Sequence, residues 1–80
     1  MESVNTKALS GLQTGEQGQV VRITAKGPVR RRILEMGITP GTEIRVTGTA
    51  PLGDPLKVSV KGYHLSLRKK EAACIFVEVV

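Results

Sequence analysis

The side chains of this sequence with chemical potential are few and poorly grouped: one histidine, one cysteine, seven carboxylates and a run of three arginines. Ser66, His64 and Asp54 supply the residue types of a nucleophile, a base and an orienting group. A chain of this size offers such a trio by chance, so it carries no catalytic signal. His64 and Cys74 are the candidate metal ligands, and their spacing matches neither C-x-x-C nor H-x-x-x-H. A transition metal held through them would be shared between two copies of the chain. The sequence therefore predicts no required cofactor, with His64 structural and Cys74, in an apolar run, part of the core. No glycine is followed by lysine, which removes the phosphate-cradling loop G-x-x-x-x-G-K-[ST].

Binding chemistry is what remains. Arg30, Arg31 and Arg32 enter a short helix in which Val29, Ile33 and Met36 share the apolar face. Arg31 and Glu35 lie opposite that face, spaced for an i,i+4 pair, while Arg30 and Arg32 flank it with stems that pack and heads that reach outward. Read unaided, such a charge run is a solvated helix face; the functional alternative is that arginine's planar fork bonds both oxygens of a carboxylate or phosphate. The second feature is the loop from Ala50 to Pro55, in which Pro51 and Pro55 limit flexibility and Gly53 permits an unusual backbone angle. Asp54 there is able to bond nearby backbone amides, and Leu52 sits at the tip of the turn.

The elements that position these groups follow from periodicity. Gly18 begins a strand in which Val21, Ile23 and Ala25 point one way and Arg22 and Thr24 the other. Gly27-Pro28 ends it, with Pro28 suited to the first helical position. The helix runs from Val29 to Met36 and stops at Gly37; Pro40-Gly41 then fits a type II turn. Thr42 to Gly48 alternates as a second strand with Ile44 and Val46 inward. Leu56, Val58 and Val60 form the inner face of a third, Lys61-Gly62 a tight hairpin, and Tyr63, Leu65 and Leu67 the inner face of a fourth. Arg68 to Ala73 makes one helical turn, and Ile75, Val77 and Val79 a fifth strand. Five short antiparallel strands cannot bury a flat sheet face in so small a chain, so a small β-barrel is expected. Residues 1–7 read as a loose tail and 8–80 as one domain.

Composition agrees: 80 residues, 40% apolar and 24% charged, support a single domain that folds alone or as a homo-oligomer. Twelve Lys and Arg against seven acids give a net charge of +5, which points to an anionic partner. No segment has the length of a transmembrane helix, the N-terminus lacks the pattern of a signal peptide, and a lone cysteine suits a reducing cytoplasm.

A family resemblance rests on Leu9, Leu12, Gly15 and Gly18, then Arg32 through Gly37, Pro40-Gly41, Ala50 through Pro55, Leu65 through Arg68, and Glu71-Ala72, in that order. These residues resemble the FeoA family, ferrous iron transport protein A, from about Leu9 to Val79. The resemblance implies an SH3-like barrel, mainly β with one short helix. It also implies a non-enzymatic cytoplasmic accessory that docks on the cytosolic face of the GTP-binding membrane transporter FeoB and modulates it, peripheral to the membrane only through that partner. On this reading the docking residues are Arg31, Arg32, Leu52, Gly53, Asp54 and Arg68. Two alternatives follow from other features. The positive charge suits a small nucleic-acid-binding barrel, but Tyr63 and Phe76 are the only two rings available for base stacking. Similar barrels also occur at the C-terminus of iron-dependent repressors, and a free-standing relative would need another chain to read DNA.

Overall fold

Alternating apolar residues, one face wet and one dry, become a single curled sheet. The computed structural model describes residues 5–79. In chain order these form β1 (Thr6–Ala8), a 3-10 turn (Leu9–Gly11), β2 (Gln17–Ile23), α1 (Gly27–Glu35) and β3 (Glu43–Thr49). There follow β4 (Leu56–Val60), β5 (Tyr63–Leu67), α2 (Lys69–Ala72) and β6 (Ile75–Val79). All pairings are antiparallel, and the sheet order is β1-β6-β2-β3-β4-β5. The inward residues Val20, Ile44, Val46, Val58, Val60, Leu67, Ile75 and Val77 merge with Leu9, Ile33 and Ile38 into one core.

The structure departs from the periodicity at three places. The expected tail overlaps β1: Thr6 and Lys7 pair with Glu78 and Val77, so there are six strands, while residues 1–4 and 80 lie outside the described residues. Val21, expected inward, is 43% exposed, and Val20 takes the core position. The cause is a bulge in the β2–β6 ladder, where Val20 pairs with Val77 and the next partner of Phe76 is Arg22, leaving Val21 unpaired and turned out. Tyr63, also expected inward, is 73% exposed. It is the first residue after the Lys61-Gly62 turn, where φ is positive at both positions (53° and 84°), and its strand partner Val60 takes the core position at that rung.

The helix is placed by its ends. Pro28 lies in the first turn of α1. At the other end Gly37, with φ of 87°, donates its N–H to Leu34 O at 3.0 Å, and Ile38 donates to Ile33 O at 3.3 Å. This is the paired 5→2 and 6→1 pattern that satisfies terminal carbonyls, and it drops Ile38 into the core beside Ile33. Pro40-Gly41 occupy the centre of a turn closed by Thr42 N–H to Thr39 O at 3.0 Å.

Candidate functional site

The loop between β3 and β4 is held at both of its own ends. Ala50 donates its N–H to Pro55 O at 3.1 Å, closing the base, and Gly53 donates to Ala50 O at 2.8 Å with φ of 82°. This geometry leaves Leu52 94% exposed at the tip. Asp54 reaches across the chain rather than along it: its Oδ1 accepts the Lys69 N–H at 3.0 Å, which fixes the loop against the first residue of α2. The expectation of a local Asp54 turn thus becomes a tertiary clamp.

α1 and α2 are joined by charge. Arg32 Nε lies 3.1 Å from Glu71 Oε2, with the arginine side chain 59% exposed and the glutamate 5%. The second oxygen, Glu71 Oε1, accepts the Arg68 backbone N–H at 2.9 Å, capping α2 from its third position. Both oxygens of the buried carboxylate are therefore satisfied, as a buried charge requires. The expected pairing of Arg31 with Glu35 is absent among the described residues, and the ion pair of the helix runs instead from Arg32 to α2. Arg30 spends part of its fork on structure, donating from Nη1 to Ile23 O at 3.2 Å.

Five of the six expected docking residues fall on one side of the molecule. Arg32, Asp54 and Arg68, with Pro55 and Ser66, line a recess of about 340 Å³. Leu52 projects from the loop that supplies Asp54 and Pro55, and Gly53 shapes that loop. Next to the recess, Asp54 and Arg68 also line a hollow with Ser10, Lys69, Lys70 and Ala73. Arg31 is elsewhere, lining a depression with Gly27, Arg30, Leu34 and Glu35, and does not join the group. Sequence reasoning missed Glu71 as the residue that orients Arg32. Its position three residues after a helix cap was a usable signal, hidden because Arg68 rather than Ser or Thr occupies the cap.

The metal candidates do not converge. His64 is exposed on β5 opposite Ser59, and Cys74 packs at the edge of the core with its thiol 3.5 Å from Lys70 O. Among the described residues no group of three His, Cys, Asp or Glu side chains is placed to hold a metal ion. No helix among them is long and apolar enough to cross a membrane.

A six-stranded antiparallel sheet wrapped on one core, with a helix inserted between its second and third strands and its shaped loops outward, defines a small SH3-like β-barrel domain. Within that class the chain belongs to the FeoA domain family, which it matches over residues 7–79. It is 46% identical over 72 residues to the Fe(2+) transport protein A/Fe(2+) transporter FeoB fusion protein of Porphyromonas gingivalis, covering 90% of this chain but 8% of that protein. The solution structure of a FeoA-like protein from Clostridium acetobutylicum superposes with a TM-score of 0.88 at 43% identity, covering 96% of this chain and 90% of that one. The crystal structure of Stenotrophomonas maltophilia FeoA, a prokaryotic SH3 domain protein complexed with zinc, gives 0.78 at 31% identity, covering 89% and 88%.

Proposed function

We propose that this domain is an accessory module of ferrous iron transport, docking on the cytoplasmic side of a FeoB-type transporter and modulating it by binding rather than by catalysis. The observation that carries this reading is the Porphyromonas gingivalis relative, in which a region 46% identical to this chain belongs to one polypeptide with FeoB. Covalent linkage of two partners raises their effective concentration, so a fusion is favoured where the separate parts act together. The side that carries Leu52, Gly53, Asp54, Arg32 and Arg68 has the chemistry of a docking face: a stiff apolar tip beside arginines. A rigid loop loses little conformational entropy on binding, and an exposed apolar anchor gains most when a partner covers it. Iron enters this reading as the transporter's cargo, and no resident cofactor is required.

Co-purification with the intact transporter, in GTP-bound, GDP-bound and nucleotide-free states, tests it. Leu52→Ala is expected to weaken association by roughly tenfold, the loss of one apolar anchor, and to alter iron uptake and GTP hydrolysis in step. Absence of association in all three states would remove the docking reading. Unchanged binding and uptake in both Leu52→Ala and Arg32→Ala would move the face elsewhere on the barrel.

A further inference from the structure

The recess beside the loop has a chemistry set by which donors are already engaged. Glu71 takes Arg32 at Nε through one oxygen and the Arg68 backbone N–H through the other, so each of its oxygens is engaged. A guanidinium has five donors in a planar fork, and a contact at Nε leaves its Nη groups for a second acceptor. Among the described residues neither the Nη groups of Arg32 nor the guanidinium of Arg68 makes a hydrogen bond or ion pair. Both arginines line the recess, together with the hydroxyl-bearing Ser66 of β5. Glu71 thus works from behind, fixing Arg32 in place while its outer donors stay free.

We propose that this recess is a carboxylate-recognition subsite, formed by Arg32, Ser66 and Arg68, for an Asp or Glu side chain of an acidic peptide segment whose apolar neighbour meets Leu52. It rests on the docking reading above and names the chemistry of the partner's contact. Charge complementarity carries the choice: Arg32, Arg68, Lys69 and Lys70 surround the two depressions, against Asp54 and the buried Glu71. A carboxylate is planar and monoanionic, matching a two-nitrogen edge. A phosphate brings more negative charge toward Asp54, which lines the same recess, and like charges at short range repel. A recess of about 340 Å³ takes in a side chain, whereas a bilayer presents its charges on a broad front.

The test is an NMR titration of the full chain, labelled with ¹⁵N, using acetyl-Leu-Glu-Glu-Leu-amide as probe and acetyl-Leu-Gln-Gln-Leu-amide as control. The acidic peptide is expected to shift the Ser66 and Arg68 amides and the Arg32 Nε–H, and the control to leave them in place. Arg68→Gln is expected to weaken the acidic peptide at least about tenfold, the loss of a charge-assisted contact. Its fold is expected to persist, because Arg68 caps α2 through its backbone. Equal shifts with the control peptide, an unchanged affinity in Arg68→Gln, or shifts located away from the recess would each overturn the proposal. So would tighter binding of inorganic phosphate than of the peptide, or a response to phosphatidylglycerol vesicles without one to the peptide. Because no transporter is present in this experiment, the two readings fail separately. Transporter binding without peptide binding removes the carboxylate subsite alone, and peptide binding without transporter binding removes the docking reading alone.

Discussion

Arg32 and Glu71 make an asymmetric pair, and the asymmetry decides what each substitution does. The glutamate is nearly closed off from water and the arginine is largely exposed. Removing the arginine strands a buried charge; removing the charge from the glutamate frees an arginine that water can solvate. Breaking a fully buried pair costs about 3–5 kcal/mol. Glu71 keeps the Arg68 N–H, and Arg32 is already partly solvated, so Arg32→Ala is expected to cost about 1–2 kcal/mol in urea denaturation. Adding Glu71→Gln to that variant removes the stranded charge while keeping an oxygen for the Arg68 N–H, and is expected to recover most of the loss. Equal stability of the single and double variants would show that the stranded charge is not the cause. The place of Leu52 at a loop tip was legible from the turn residues around it, whereas the bond from Lys69 to Asp54 was not, because the two lie fifteen residues apart. Glu71 was not, because in the polar run from Arg68 to Glu71 it reads as a solvated residue, and only the tertiary packing of α2, which contacts the 3-10 turn, buries it.

The strands make a corresponding division between what local pattern specifies and what pairing adds. Ile44, Val46, Leu56, Val58 and Val60 were legible as inward residues since a strand with one dry face must alternate. Val21 was not, because a bulge inserts one residue against its partner strand and shifts the alternation by one. β1 was not either: three residues, two of them exposed, carry no period at all. The ladder that contains the bulge also contains the closest backbone approach at a glycine. A Cβ placed on Gly18 would lie 2.6 Å from the Glu78 carbonyl oxygen, which is backbone and cannot rotate away. Gly18→Ala is therefore expected to destabilise the barrel by about 1–3 kcal/mol, as overpacking does. Gly48, where the β3–β4 register shifts by a residue after Val46, meets nothing within 4 Å, and Gly48→Ala is expected to fall within about 0.5 kcal/mol of the parent. Thermal or urea denaturation of the pair checks both, and equal losses would refute the close-approach account.

The whole molecule carries a net charge of +5, and that charge acts at longer range than any one contact. Association with an acidic partner is expected to slow about tenfold as salt rises from about 0.1 M to about 1 M, where the screening length contracts from about 10 Å to about 3 Å. On the proposed docking reading, dissociation depends on short-range contacts and is expected to change less, and stopped-flow mixing with a FeoB-type transporter's cytoplasmic region separates the two rates. The barrel was legible from strand number and chain length together. The strand order was not, since β6 lies between β1 and β2 and joins the two ends of the described chain, a pairing that no local window contains. That pairing has a mechanical consequence. Thr6 faces Glu78, so the backbone entering β1 and the backbone leaving β6 meet at the same end of one ladder. Tension applied through both would part the two strands rung by rung, like a zipper, instead of straining every rung together in shear. A domain tethered at both of these points would give way first at that seam, while β2 to β5, lying off the line of pull, kept their pairing.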